Sequence, residues 1–318
     1  METFLWIALA IVLVLALTLL NLVRRSYRSK GVAEQAAPAQ GRFLDLPTSR
    51  LHYVEKGPSS GTPVVMLHGN GGTARHFTHS LFDALPADMR AIAIDRPGSG
   101  YSTPRADGDA RLGAQAATIA AAIEKLGLEK PVLVGHSFGG SLALRIALEH
   151  PGLVRALVLL APATIPFTPK PPIGGDAIEN AFARKAVAWT VAVPAAAKAG
   201  EKMAAAVFAP HPVPEDFAIE GGGVLTLRPG QIVAMLTDTA VLQPGLRAQQ
   251  DRYGELTLPI TVLFGDTDAI LDPEAHIDAL RAAAPQTVAQ RVSGAGHMLP
   301  ITAPQEVAAA IRAAAAGA

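Results

Sequence analysis

The chain has 318 residues, half of them hydrophobic, enough apolar side chain for a large α/β core rather than a disordered coil. Lysine plus arginine and aspartate plus glutamate both number 27, and zero formal net charge leaves no global field to draw in a nucleic-acid backbone, so no nucleic-acid partner is expected. The absence of cysteine rules out disulfides, thiolate nucleophiles and cysteine-ligated zinc.

Residues 4–23, FLWIALAIVLVLALTLLNLV, carry only Thr18 and Asn21 as clearly polar side chains. Twenty helical residues span roughly 30 Å, the thickness of a bilayer's hydrocarbon core, which predicts one transmembrane anchor over residues 1–23. The alternative is a cleaved signal peptide, which fits less well: no Lys or Arg precedes the run, and the run is long for a signal's apolar stretch. Arg24, Arg25, Arg28 and Lys30 follow the helix, whereas Glu2 is the one charged side chain before it. The positive-inside rule then predicts a single-pass membrane protein whose bulk faces the cytoplasm. Residues 24–41, which end in the small and polar GVAEQAAPAQG, are expected to form a linker.

Beyond the linker, FLDL and LHYVE flank Pro47-Thr48-Ser49 and predict an antiparallel entry into a sheet. The rhythm then changes to short apolar runs, VVML at 64–67, IAI at 92–94, VLV at 132–134, LVLL at 157–160 and ITVL at 260–263. Helix-like segments at 109–126 and 141–150 lie between several of them. Alternation of this kind predicts a mostly parallel α/β sheet with helices on both faces. Residues 163–258 break the rhythm with Pro/Gly-rich turns, Ala-rich helical stretches and few strand signals, which predicts a helical cap inserted over the carboxyl edge of the sheet. A continuation of the core with weak strand signals is the alternative. The core would then comprise residues 42–162 and 259–318, ending in an Ala-rich helix, and no internal repeat stands out.

GHSFGG at 135–140 follows the run at 132–134 directly. A strand, a turn of small residues and a helix in that order make a nucleophile elbow, a sharp bend that projects a serine hydroxyl; Ser137 is the candidate nucleophile. At this point the chain resembles the α/β-hydrolase superfamily from about Arg42 onward. HGNGG at 68–72 resembles the family's oxyanion loop, DRPGSGYS at 95–102 the loop after its fourth strand, and GAGHMLP at 294–300 its catalytic-histidine loop, all in the family's order.

Serine is a weak nucleophile at neutral pH and needs a base. His297, in a glycine-containing loop after the strand-like 288–292, is the candidate. The acid that fixes its tautomer has three candidates in GDTDAILDP: Asp266, Asp268 and Asp272. The resemblance implies Asp268, the last position of G-x-x-D, and leaves turn and capping roles to the other two. It also implies that the backbone N–H groups of Asn70 and Phe138 form the oxyanion hole. His68 is expected to shape its loop and His136 to point away from the nucleophile; no H-E-x-x-H pattern suggests zinc, and neither a metal nor a cofactor is called for.

A serine at the elbow excludes the family's haloalkane and epoxide chemistries, which use a carboxylate there. Ester hydrolysis through an acyl-enzyme is the leading expectation, and a cytoplasmic-face anchor with an apolar cap suggests a small-molecule, hydrophobic acyl substrate. A C–C bond hydrolase or an acyltransferase on the same triad is the alternative, with a non-catalytic binding protein on this fold as a remote third.

Overall fold

Val-, Ile- and Leu-rich runs become strands: β1 (Arg42–Asp45), β2 (Arg50–Lys56), β3 (Thr62–Leu67), β4 (Met89–Ile94), β5 (Val132–His136), β6 (Ala156–Leu160), β7 (Ile260–Gly265) and β8 (Thr287–Val292). The computed structural model that shows them describes residues 1–167 and 180–317. The strands form one sheet in the order β1-β2-β4-β3-β5-β6-β7-β8. The β1–β2 and β2–β4 pairs are antiparallel and the remaining pairs are parallel. The entry hairpin and the parallel core thus match the expected α/β class.

The helices are α1 (Glu2–Ala36), α2 (Arg75–Thr78), α3 (Leu81–Ala84), α4 (Leu112–Lys125), α5 (Phe138–Glu149), α6 (Ala181–Val187), α7 (Val193–Phe208), α8 (Pro229–Gln249), α9 (Pro273–Ala283), α10 (Leu299–Thr302) and α11 (Pro304–Ala316). Successive side chains of a strand point to opposite faces. Val65, Leu67 and Leu133 accordingly pack with Ile119 and Ile123 of α4 and Leu142 and Ile146 of α5. Val64, Met66, Val132 and Val134 pack on the other side, with Val307 and Ile311 of α11. Both faces of the central strands are dry, which is why those strands read as unbroken apolar runs.

Between β6 and β7 the described residues form helices and no strand. Residues 168–179 of the expected cap, 163–258, lie outside the described residues. Helix α8 starts on Pro229, whose fixed φ and missing N–H suit the first helical turn. It lies over the carboxyl edge of the sheet, where Gln231 accepts a hydrogen bond from the Gly100 N–H in the loop after β4.

The amino-terminal segment departs from the expected linker. Helix α1 does not stop at the end of the apolar run but continues to Ala36, so residues 24–36 are helical rather than a tether. Ala, Glu and Gln in GVAEQAA favour helix, and burial selects it: Ser26 and Ala33 are fully buried while the apolar stretch is exposed. Tyr27 packs its ring 4.5 Å from that of Trp189, Glu34 pairs with Arg228 at 3.0 Å, and the Tyr101 hydroxyl and an Arg75 N–H donate to the carbonyls of Ala37 and Pro38. The basic end of α1 is therefore docked on the segment between β6 and β7 and on the loops beside it.

Candidate active site

The elbow at the end of β5 depends on glycine where backbones touch. A Cβ at Gly139 would stand 2.0 Å from the Leu67 carbonyl oxygen, and one at Gly135 would stand 2.3 Å from the oxygen of Gly139. With those approaches allowed, Ser137 is forced into φ 53°, ψ −115°, a conformation side-chain-bearing residues rarely adopt. Its N–H donates to the Leu160 carbonyl at 2.9 Å, which fixes the bend against β6. The half-buried Ser137 hydroxyl has no hydrogen-bond partner among the described residues.

Asp268 and His297 meet as the resemblance implies: His297 Nδ1 donates to Asp268 Oδ2 at 2.8 Å, with both side chains withdrawn from solvent. Burial alone would raise the Asp268 pKa. The hydrogen bond and charge of His297, with the N–H groups of Ile270 and Leu271 on the other carboxylate oxygen, outweigh it and hold the carboxyl below its ordinary value. In the neutral ring this bond selects the tautomer with the proton on Nδ1 and the lone pair on Nε2, the one a general base requires. The other two aspartates are occupied elsewhere. Asp266 accepts from the Gly294 N–H at 2.8 Å, and Asp272 caps α9 by accepting from the Ala275 N–H.

His136 is a contributor that sequence reasoning assigned no part in the site. Its Nε2 donates to the His297 carbonyl at 3.0 Å and its ring centroid lies 5.0 Å from that of His297, so the elbow and the histidine loop are fastened to each other beside Ser137. Burial, and next the neighbouring His297, lower its pKa well below the ordinary histidine value and keep it neutral. The adjacency of His136 to Ser137 in sequence was the available signal; the direction of its ring was not.

On the other side of Ser137 lies the loop at 68–72. An added Cβ at Gly69 would come within 3.1 Å of the Ser137 Cβ. Neither the Asn70 N–H nor the Phe138 N–H has an acceptor among the described residues, and Phe138 opens α5, where the first N–H groups are free of helical partners. His68 shapes the loop as expected: Nε2 accepts from the Arg96 N–H at 3.0 Å, so Nδ1 carries the proton and donates to the Gly69 carbonyl at 2.8 Å. Arg96, from the DRPGSGYS loop, and Gln231 also grip this loop, and Asp238 pairs with Arg96; no motif announced Gln231 or Asp238. Among the described residues no group of three or more acidic or histidine side chains is arranged to hold a metal ion.

Known proteins agree with this architecture. The alpha/beta hydrolase fold family matches residues 62–304. A haloalkane dehalogenase from Mycobacterium tuberculosis is 26% identical over 286 residues, 87% of this chain and 95% of that protein. The acetyltransferase component of the acetoin cleaving system of Cupriavidus necator is 32% identical over 149 residues, 47% of this chain and 37% of its own length. Among solved structures, a membrane phospholipase A superposes with a TM-score of 0.66 at 20% identity, covering 100% of this chain and 99% of that one. A family match that runs from β3 to the start of the last helix, on a sheet with this strand order, places the protein: the chain belongs to the alpha/beta hydrolase fold family and is a hydrolase.

Proposed function

We propose that the protein is a membrane-anchored serine esterase that cleaves hydrophobic acyl esters through an acyl-enzyme on Ser137. The observation that carries this reading is the strained, unpartnered Ser137 of an elbow that His136 ties to the loop of His297, whose Nδ1 is bonded to Asp268. In the first half-reaction Ser137 Oγ attacks the ester carbonyl carbon while His297 Nε2 takes the hydroxyl proton. Asp268 stabilises the resulting imidazolium, and the N–H groups of Asn70 and Phe138 hold the oxyanion. His297 returns the proton to the departing alcohol as the C–O bond breaks. Water, deprotonated by the same Nε2, then releases the acid and restores the serine.

The similarity to a haloalkane dehalogenase does not extend to its chemistry, because a hydroxyl stands where those enzymes need a carboxylate. The hydrophobic substrate class rests on α1. Its apolar stretch has mean hydropathy 2.8 and none of it is buried, while its basic end is docked on the cap. A bilayer covers that stretch, and Arg24, Arg25 and Arg28 beyond it favour the cytoplasmic face. The likeness in fold to the membrane phospholipase A extends over α1 as well and supports counting this helix as part of the architecture.

The test is hydrolysis of p-nitrophenyl esters from acetyl to palmitoyl by the full chain in detergent, beside Ser137→Ala, Asp268→Ala and His297→Ala. Activity that peaks at medium or long chains and collapses in all three variants supports the proposal. Ester turnover that survives Ser137→Ala overturns it.

A further inference from the structure

We propose that helix α8 of the cap is the template of the oxyanion loop, with Gln231, Asp238 and Thr239 as positioning residues for the N–H of Asn70. The inference rests on the reading of residues 68–72 as the oxyanion loop of a serine esterase. The three residues, with Met235, follow one another at helical spacing of four, three and one, and so share a face of α8. Gln231 Nε2 donates to the carbonyls of Gly71 at 3.1 Å and Gly72 at 3.0 Å. Thr239 Oγ1 accepts from the Asn70 side-chain amide at 2.9 Å and donates to the Met235 carbonyl.

Asp238 acts through Arg96. That guanidinium is fully buried, and among the described residues Asp238 is its one carboxylate, at 2.7 Å. Arg96 spends three of its four remaining N–H groups on the His68 carbonyl at 2.9 Å, the Gly69 carbonyl at 3.1 Å and Gln115 Oε1 at 3.0 Å, while Gln115 Nε2 donates to the second Asp238 oxygen at 3.1 Å. Every residue from 68 to 72 is thus held by α8 or by the arginine that α8 neutralises.

The consequence for catalysis follows from peptide geometry. The Gly69 carbonyl and the Asn70 N–H belong to one planar trans peptide and point in opposite directions. Fixing that oxygen with Arg96 and with His68 Nδ1 fixes the direction of the N–H that is to meet the oxyanion. Within the loop the Gly72 N–H also reaches that oxygen at 3.2 Å, but three of its residues are glycines, one of them at φ 71°, so Arg96 and Gln231 supply the contacts that pin it from outside. Arg96 also lies 4.2 Å over the Phe138 ring, so the residues carrying both oxyanion donors meet at the same guanidinium.

The experiment compares kcat and KM of the full chain for p-nitrophenyl butyrate, and its rate of labelling by an alkyl fluorophosphonate, in Asp238→Asn, Asp238→Glu, Gln231→Ala and Leu236→Ala. Leu236, also on α8, makes no hydrogen bond to the loop and is buried with Ala188, Ala192, Val193 and Ile232; it serves as the stability control. Misplacing a catalytic group by an ångström costs on the order of 100-fold. Asp238→Asn and Gln231→Ala are expected to lose about 10- to 100-fold in kcat and in labelling rate with KM little changed. Asp238→Glu should recover part of the loss, and Leu236→Ala should melt earlier at unchanged kcat. Gln231→Ala leaves the buried Arg96–Asp238 pair intact and keeps the test open if Asp238→Asn fails to fold. Wild-type kcat in a folded Gln231→Ala overturns the inference, as does a loss of kcat in Leu236→Ala equal to that in Asp238→Asn and Gln231→Ala. A wild-type chain that neither turns over esters nor takes the label overturns the serine reading, and the inference with it.

Discussion

Replacing Asp268 by asparagine keeps the side chain's size and removes the charge facing His297. In the proposed mechanism that charge meets a neutral imidazole before Ser137 gives up its proton and an imidazolium after. The side chains touch at 2.8 Å out of contact with solvent. Opposite charges with centres about 4 Å apart attract by about 4 kcal/mol at an effective dielectric constant near 20. That stabilisation exists in the transition state and not in the ground state, so it acts on kcat rather than KM. At about 1.4 kcal/mol per decade, Asp268→Asn should lower kcat by about 1,000-fold. The assay is p-nitrophenyl butyrate turnover by the full chain, with Asp266→Asn and Asp272→Asn as controls expected to stay within about threefold of wild type, as exposed positions usually do. An Asp268→Asn enzyme within tenfold of wild type, or an equal loss in Asp272→Asn, would refute the assignment.

Three more predictions concern the scaffold. Burial lowers the pKa of His76 and of His276 to about 4 and holds His68 and His136 well below the ordinary histidine value, so between pH 6.5 and 4 the unfolded chain binds protons that the folded one refuses. Stability should be full above pH 6.5 and fall as pH drops toward 4, by ~3 kcal/mol for each of His76 and His276; a urea midpoint that stays flat from pH 7 to 5 would contradict this. Gly139→Ala puts a methyl group against the Leu67 carbonyl and should cost more than about 3 kcal/mol, whereas Gly200→Ala, in open space on α7, should add about 0.5–1 kcal/mol; thermal melts of the two variants check both signs. Ala33→Trp should destabilise the fold by about 1–3 kcal/mol through overpacking of α1 against the cap, and an unchanged melting temperature would show that this segment is a free tether after all.

What the sequence made legible was local. Runs such as VVML and VLVGH announced buried strands because both faces of the central sheet are covered, and the elbow announced itself because glycine alone fits where Gly139 meets Leu67. The partner choice of His297 was readable only through the family resemblance, since Asp266 and Asp272 stand in the same short stretch and only the fold turns them to a loop N–H and a helix cap. The course of α1 beyond residue 23 was not legible, because GVAEQAA is polar and small enough for a linker, and its helix is selected by Ser26 and Ala33 packing against residues far along the chain. Arg96 and Asp238 stood 142 residues apart with nothing in either neighbourhood to pair them. Long-range polar pairing of that kind is decided by tertiary geometry and leaves no period or spacing in the sequence.

The central claim is that Ser137 carries the acyl group. Mass spectrometry of the full chain after brief exposure to a p-nitrophenyl ester and acid quenching tests it most directly. The account predicts one acyl adduct, on the peptide containing Ser137, that forms within a turnover, is absent in Ser137→Ala and accumulates in His297→Ala less than in wild type. Steady ester turnover with no adduct on Ser137, or an adduct on another residue that persists in Ser137→Ala, would contradict it.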